Sequence, residues 1–235
     1  MPEPEQHPSW YASRVLRWPE QIAHAEQKEI AATHAAALVT DGQTIGIGSG
    51  SAAYLALWEI GERVQRDGLS VRVVTTSYET ETAATTLGLT IVPLGRVEPD
   101  WGLDGADEVD PTGRLLKGRG GAMFREKILW ASTRDMYLAV DPSKYVERLG
   151  LGFPVPIEVD PAGVGLLERA LQSHAATDFE IRLAGGKDGP VITERGNLVV
   201  DAWFDEIPVG LSAELKALPG VIETGLFEGY SFKTL

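Results

Sequence analysis

The 235-residue chain contains no cysteine. That excludes disulfides, thiol nucleophiles and cysteine–zinc sites. Histidine is scarce: His7, His24, His34 and His174 are the four, and none has a close partner in the H-E-x-x-H manner. Neither a G-x-S-x-G elbow nor a G-K-[ST] phosphate loop is present. No metal is expected. No apolar run reaches the roughly 18 residues that a membrane span needs. The opening MPEPEQHPSW lacks the basic-then-apolar pattern of a secretion signal, so a cytoplasmic location and no membrane partner are expected. Positive charge is in deficit, with 21 Lys and Arg against 34 Asp and Glu and a net charge of −13. Such a surface repels phosphate backbones, which argues against nucleic acid as a partner. One small anion is still allowed, because a lysine and a helix N-terminus bind phosphate locally.

What is present is a globular composition, 43% hydrophobic, long enough to bury a sizeable core. Residues 1–25 read as an extension whose Trp10, Tyr11 and Trp18 would pack on a neighbour. From about Glu26 onward helix and strand patterns alternate: a helix to Val39, a strand at Thr44–Gly48, a helix capped by Ser51, a strand at Leu69–Thr75. A helix around Glu79–Leu87, a strand at Thr90–Leu94, a helix at Ala122–Thr133 and a strand at Met136–Val140 follow. This alternation predicts a parallel α/β sheet over 26–152. After residue 152 the pattern changes. Phe153-Pro-Val-Pro156 is too proline-rich for a central strand. A helix at about Ala162–Ser173, strands at Phe179–Leu183, Pro190–Thr193 and Leu198–Phe204, and a helix near Leu211–Leu218 predict a smaller α+β domain over 153–220. Residues 221–235, with a strand near Val221–Leu226, would return to the first domain.

Candidate chemistry concentrates between positions 104 and 127. Asp104-Gly-Ala-Asp107-Glu108 follows Trp101-Gly-Leu103, where a strand would end. Lys117-Gly-Arg-Gly-Gly121 and Arg125-Glu126-Lys127 come next. Asp104 and Asp107 suit a turn and a helix cap, or equally acceptors for sugar hydroxyls. Lys117 alone would be a solvated charge, but flanking glycines let a ligand approach backbone N–H groups and form an oxyanion-stabilising nest. Glu126 sits in a helix made apolar by Phe124, Ile128, Leu129 and Trp130. There it is either a salt-bridged surface group or a buried carboxylate whose pKa rises into the range of a general base. Gly46-Ile-Gly48-Ser-Gly50-Ser51 is a strand-to-helix turn whose backbone and hydroxyls would hold phosphate, or a turn needing glycine only for its geometry. Both Gly48–Ser51 and Asp104–Asp107 fall at strand carboxyl ends, where open α/β sheets bind ligands. Lys144, in Asp141-Pro-Ser-Lys144, lies at another such end.

Together these motifs resemble ribose-5-phosphate isomerase of the A type, over about residues 26–227. DGADE, K-G-x-G-G-A, R-E-K, the G-S-G-S turn, the D-x-S-K segment ending at Lys144, K-D-G-P-V-I-T at Lys187–Thr193, Gly196-Asn197 and Pro219–Val221 all occur at that family's relative spacing. The resemblance implies a Rossmann-like α/β domain carrying a small α+β domain, a homodimer or homotetramer, and no cofactor. It implies interconversion of D-ribose 5-phosphate and D-ribulose 5-phosphate through an enediolate, in the non-oxidative pentose phosphate pathway. By matching position, Glu126 would be the proton acceptor, with Asp104, Asp107 and Lys117 as its catalytic companions. Gly105, Ala106, Gly118, Arg119, Gly120, Lys28, Lys144 and the turn Ser49, Gly50, Ser51 and Ala52 would contact substrate. Ala52 departs from the family's usual threonine and removes a hydroxyl. Another sugar-phosphate isomerase, a non-catalytic sugar-phosphate sensor and a coenzyme-A transferase are the alternative readings.

Overall fold

The computed structural model describes residues 22–235. Residues 1–21 of the extension, with Trp10, Tyr11 and Trp18, lie outside the described residues. Helix α1 (Ala25–Leu38) packs across α2 (Gly50–Asp67) through alanines Ala31, Ala32, Ala35 and Ala36, which allow close approach. Strands β1 (Thr44–Ile47), β2 (Arg72–Thr75) and β3 (Thr90–Ile91) alternate with α2 and with α3 (Tyr78–Thr86). Then come β4 (Trp101–Asp104), helix α4 (Met123–Ser132) and β7 (Met136–Leu138). These strands and β13 (Lys233–Thr234) form a six-stranded sheet in the order β13-β7-β4-β1-β2-β3, parallel at every pairing. Chain direction across the sheet reverses between β1 and β4, and at such a switch point the loops leaving the strand ends diverge and open a crevice.

One feature between β4 and α4 escapes the sequence pattern. Strands β5 (Glu108–Val109) and β6 (Leu115–Leu116) form a hairpin of two residues a side, too short for any periodicity. Its turn is fixed by Asp110, whose Oδ1 accepts from the Thr112 N–H and hydroxyl and the Arg114 N–H, while Oδ2 accepts from Arg114 Nε at 2.7 Å. This hairpin folds Lys117 back over the end of β4.

The second sheet is antiparallel, in the order β11-β8-β10-β9, with β8 (Val155–Val159), β9 (Ala176–Ile181), β10 (Leu198–Phe204) and β11 (Val221–Thr224). Helices α5 (Val164–Ser173) and α6 (Leu211–Lys216) cover one face, around Ile157, Leu167, Leu171 and Leu215. Three expectations need correction. The proline-rich segment is part of a central strand: Pro156 pairs with Asp201 of β10. Its carbonyl accepts from Gly225 N–H at 2.7 Å, just past the end of β11, so the donor that proline lacks falls where no ladder partner waits. Pro190–Thr193 is no strand and contributes only isolated bridges, Leu183 with Pro190 and Ile192 with Leu198. Val221–Thr224 belongs to the antiparallel sheet rather than to the returning segment. The return begins with β12 (Leu226–Phe227), which pairs with β6, and continues to β13 beside β7.

Candidate active site

The carboxyl ends of the neighbouring strands β1, β4 and β7 deliver Gly48–Ser49, Asp104–Gly105 and Ala139–Asp141 to one crevice. The cavity there measures about 720 Å³. Of the residues singled out from the sequence, Lys28, Ser49, Gly50, Ser51, Ala52, Gly105, Ala106, Asp107, Lys117, Gly118, Arg119, Gly120, Glu126 and Lys144 all line it.

Asp104 does not. It is fully buried at 0% exposure, beneath Lys117. Its Oδ1 lies 3.0 Å from Lys117 Nζ and accepts from Gly105 N–H at 2.8 Å, while Oδ2 accepts from Trp130 Nε1 at 2.9 Å. Every oxygen is committed to the protein, which corrects the expected contact with sugar hydroxyls: this acid holds the lysine. Gly48 is glycine for the same reason. A Cβ there would stand 2.1 Å from Asp104 Oδ1. Gly48→Ala is therefore expected to destabilise by about 1–3 kcal/mol and to lower turnover, since Asp104 must move and take Lys117 with it. Urea denaturation read beside kcat checks this, and unchanged values in both would refute it.

Glu126 is buried on α4 at 2% exposure and is not a salt-bridged surface group. Its neighbours in sequence leave it free, because adjacent helical positions face different ways. Arg125 pairs with Glu194 at 2.5 Å and Lys127 with Glu223 at 2.7 Å. Glu126 Oε1 accepts from the Ser49 hydroxyl at 2.6 Å, and Oε2, with no hydrogen-bond partner among the described residues, lies 3.4 Å from Lys117 Nζ. Burial pushes the carboxyl up and the Asp104 charge adds to it. Lys117 and Ser49 pull it back, and it stands at about 7. Burial also pushes Lys117 down, but Asp104, Glu126 and Asp107 outweigh that and hold its ammonium charged, above the usual lysine value. Lys117 Nζ also donates to the Gly105 carbonyl at 2.5 Å.

Ser51 was expected to cap α2; Ser49 occupies the N-cap position and spends its hydroxyl on Glu126. Gly50 has φ +80°, which favours glycine and turns the chain so that the first N–H groups of α2 face the crevice. On the opposite wall Lys28, Lys144 and Arg119 gather. Burial lowers Lys28 first, Asp141 opposes this, and the charges of Lys144 and Arg119 lower it further. Cations that repel one another around an opening favour a doubly charged anion between them.

Sequence reasoning missed several lining residues, among them Tyr54, Glu79, Asp141 and Phe153. Phe153 carries Lys144 Nζ over its ring at 5.2 Å. The backbone N–H groups of Gly150, Gly152 and Phe153 all bond Glu108, so the last acid of DGADE secures this wall rather than the chemistry.

Residues 72–235 match the family model for ribose 5-phosphate isomerase A (phosphoriboisomerase A). A ribose-5-phosphate isomerase A from Methanothermobacter thermautotrophicus is 42% identical over 204 residues, covering 86% of this chain and 89% of the relative. One from Bacillus mycoides is 39% identical over 212 residues, covering 88% and 94%. The solved ribose 5-phosphate isomerase A of Methanocaldococcus jannaschii superposes with a TM-score of 0.86 at 35% identity, covering 90% of this chain and 95% of that one. A D-ribose-5-phosphate isomerase in complex with phospho-erythronic acid superposes with a TM-score of 0.84 at 37% identity, covering 91% and 96%. With the site geometry and these likenesses in agreement, the chain belongs to the ribose 5-phosphate isomerase A family.

Proposed function

We infer that this chain interconverts ribose 5-phosphate and ribulose 5-phosphate, with Glu126 carrying the proton between C2 and C1. The observation that carries the reading is a buried carboxylate, poised near neutrality, with one oxygen unbonded and a charged lysine beside it. A general base works best when its pKa lies near the working pH. An aldose–ketose isomerase lifts a proton from C2, spreads the charge over an enediolate, and returns the proton to C1. As Glu126 takes the proton it becomes neutral and its hold on Lys117 weakens. The negative charge moves to the substrate oxygens, and Lys117 can turn to meet it. The ammonium thus stays opposite the negative charge throughout. The Gly120 N–H of the neighbouring turn would assist as a fixed donor, since those of Arg119 and Gly121 are already given to Asp107 and to the Gly118 carbonyl. Asp107, half-buried on the cavity wall, is the acid left to orient hydroxyls and pass protons between O1 and O2. A four-carbon sugar acid phosphate such as phospho-erythronic acid, whose planar carboxylate stands where C1 and C2 of the enediolate would, is expected to compete with substrate.

The phosphate would sit between the start of α2 and the Lys28–Lys144 wall. Single Lys28→Ala and Lys144→Ala variants are expected to raise KM for ribose 5-phosphate about tenfold and to change kcat far less, since each removes a charge-assisted contact of about 1.5 kcal/mol to the non-reacting end. Loss confined to kcat in both would move the phosphate elsewhere. The direct test of the whole reading is to supply ribose 5-phosphate and follow ribulose 5-phosphate, then other aldose phosphates. Binding without turnover would favour a sensor, and preference for another sugar phosphate would point to the altered turn at Ala52. A cytoplasmic location and assembly as a homodimer or homotetramer belong to the same proposal, and light scattering reads the assembly.

A further inference from the structure

We propose that Arg182, seated on the antiparallel sheet, is a positioning residue for the isomerisation: paired with Asp201, it clamps the Gly118–Arg119 turn from behind and sets the direction of its N–H groups. The inference rests on the isomerase reading above.

Arg182 follows β9 directly. Its backbone is held on both sides, N–H to Val199 O at 2.9 Å and carbonyl from Val191 N–H at 2.8 Å. Its side chain is mostly buried and wholly committed. Nε donates to Asp201 Oδ2 at 2.7 Å, and Nη2 donates to Oδ1 of the same carboxylate. Nη1 donates to the Gly118 carbonyl at 3.0 Å and the Arg119 carbonyl at 2.8 Å. A bidentate pair fixes the plane of the guanidinium. The remaining nitrogen then reaches two successive carbonyls, which a lysine ammonium, lacking the planar fork, cannot do while also spanning a carboxylate.

The geometry has a consequence on the far side of the turn. In a trans peptide the N–H points opposite to the C=O. The Gly118 carbonyl faces Arg182, so the Arg119 N–H faces away, and it bonds Asp107 Oδ2 at 3.1 Å. The Arg119 carbonyl also faces Arg182, so the Gly120 N–H is directed away from the guanidinium. Gly120 lines the cavity, and a Cβ built on it would lie 3.9 Å from the Ser49 hydroxyl that bonds Glu126. A cation on both carbonyls also polarises these peptides and strengthens their N–H groups as donors. Gly118 has φ +100°, which glycine enters and leaves without strain, so the contacts on its carbonyl, from Arg182 and from the Gly121 N–H, fix the orientation of the turn. The small domain thereby contributes to catalysis without touching substrate.

The test uses Arg182→Ala, Arg182→Lys and Asp201→Asn in the full chain. The readouts are kcat and KM for ribose 5-phosphate, affinities for phospho-erythronic acid and for inorganic phosphate, and Tm. Arg182→Ala is expected to lower kcat about 10²-fold, as loss of preorganised oxyanion donors does, with KM nearly unchanged. Affinity for phospho-erythronic acid should fall while that for inorganic phosphate stays. Added guanidinium should restore part of kcat to the alanine variant and none to the lysine variant. If Arg182→Ala fails to fold, Arg182→Lys, which keeps a cation beside Asp201, decides by the same split. A folded variant with kcat within about threefold of wild type, or equal losses for both ligands, overturns the clamp. Absence of turnover in the wild type would instead overturn the isomerase reading, so the two failures are distinguishable.

Discussion

Glu126→Gln is expected to fold and to lose about 10³-fold in kcat for ribose 5-phosphate. The amide keeps the size of the side chain and an oxygen for the Ser49 hydroxyl at the 2.6 Å position, so binding of substrate should change little. What it removes is the proton acceptor. In the wild type the carboxyl stands at about 7, so kcat/KM should fall about tenfold per pH unit below that value and level off above it. Stability supplies an independent check. The folded-state value lies above the ordinary 4.5 of an unfolded glutamate, so between those pH values the native state holds a proton that the unfolded chain has released. This contribution to stability is complete below about 4.5 and lost as pH rises through about 7. Glutamine has no such proton to lose, so Tm of Glu126→Gln relative to wild type should improve from pH 4.5 to pH 8. Near-normal kcat in the variant would dismiss Glu126 as the base, and a pH-independent difference in Tm would dismiss its raised pKa.

Lys117→Met should be the most damaging single change, because it strikes the chemistry and the fold together. The ammonium sits against Asp104 and Glu126, 3.0 and 3.4 Å away, and both carboxylates are buried. Breaking a buried ion pair from one side leaves uncompensated charge, at a cost of about 3–5 kcal/mol. Glu126 would then hold its proton to still higher pH, since the one cation pulling its pKa down is gone. Turnover is expected to drop about 10³-fold at pH 7, with the acid limb of the residual activity moved upward. Urea unfolding at pH 6 and pH 8 separates these effects, because the loss should be larger at pH 8, where Glu126 is charged. The double variant Lys117→Met/Glu126→Gln should recover part of that loss. A stability change below about 1 kcal/mol at both pH values would show that the pair is not coupled as described.

Much of the site was legible because its parts lie close in sequence. DGADE, the Lys117 glycine cluster and Glu126 are separated only by a short hairpin, so their grouping survived ignorance of the fold. Their arrangement was harder to read. Nothing in the residue types says that Asp104 turns away from the crevice, since that depends on Trp130 arriving from α4 and on the space left by Gly48. Nothing in their residue types or spacing singles out Arg182 and Asp201, and only the packing of the second sheet behind Gly118 gives them a role. The parallel sheet showed through the alternation of strands and helices. The β5–β6 hairpin did not, because two residues a side carry no period, and Pro156 misled because its missing donor happens to fall beyond the end of the neighbouring ladder.

The returning tail sets the order in which this molecule can be made. Strand β12 pairs with β6, the strand that delivers Lys117, and β13 closes the edge of the parallel sheet beside β7, so residues 226–234 finish a layer begun near residue 44. A ribosome therefore releases a first domain lacking an edge strand and lacking the support behind Lys117. Contacts this distant in sequence are slow to form, because loop closure must come before they stabilise anything. Until the last strands arrive, the β7 edge and the apolar surface that Phe227 covers stand open to other chains. Competence for catalysis should consequently appear late in refolding, after most secondary structure has formed.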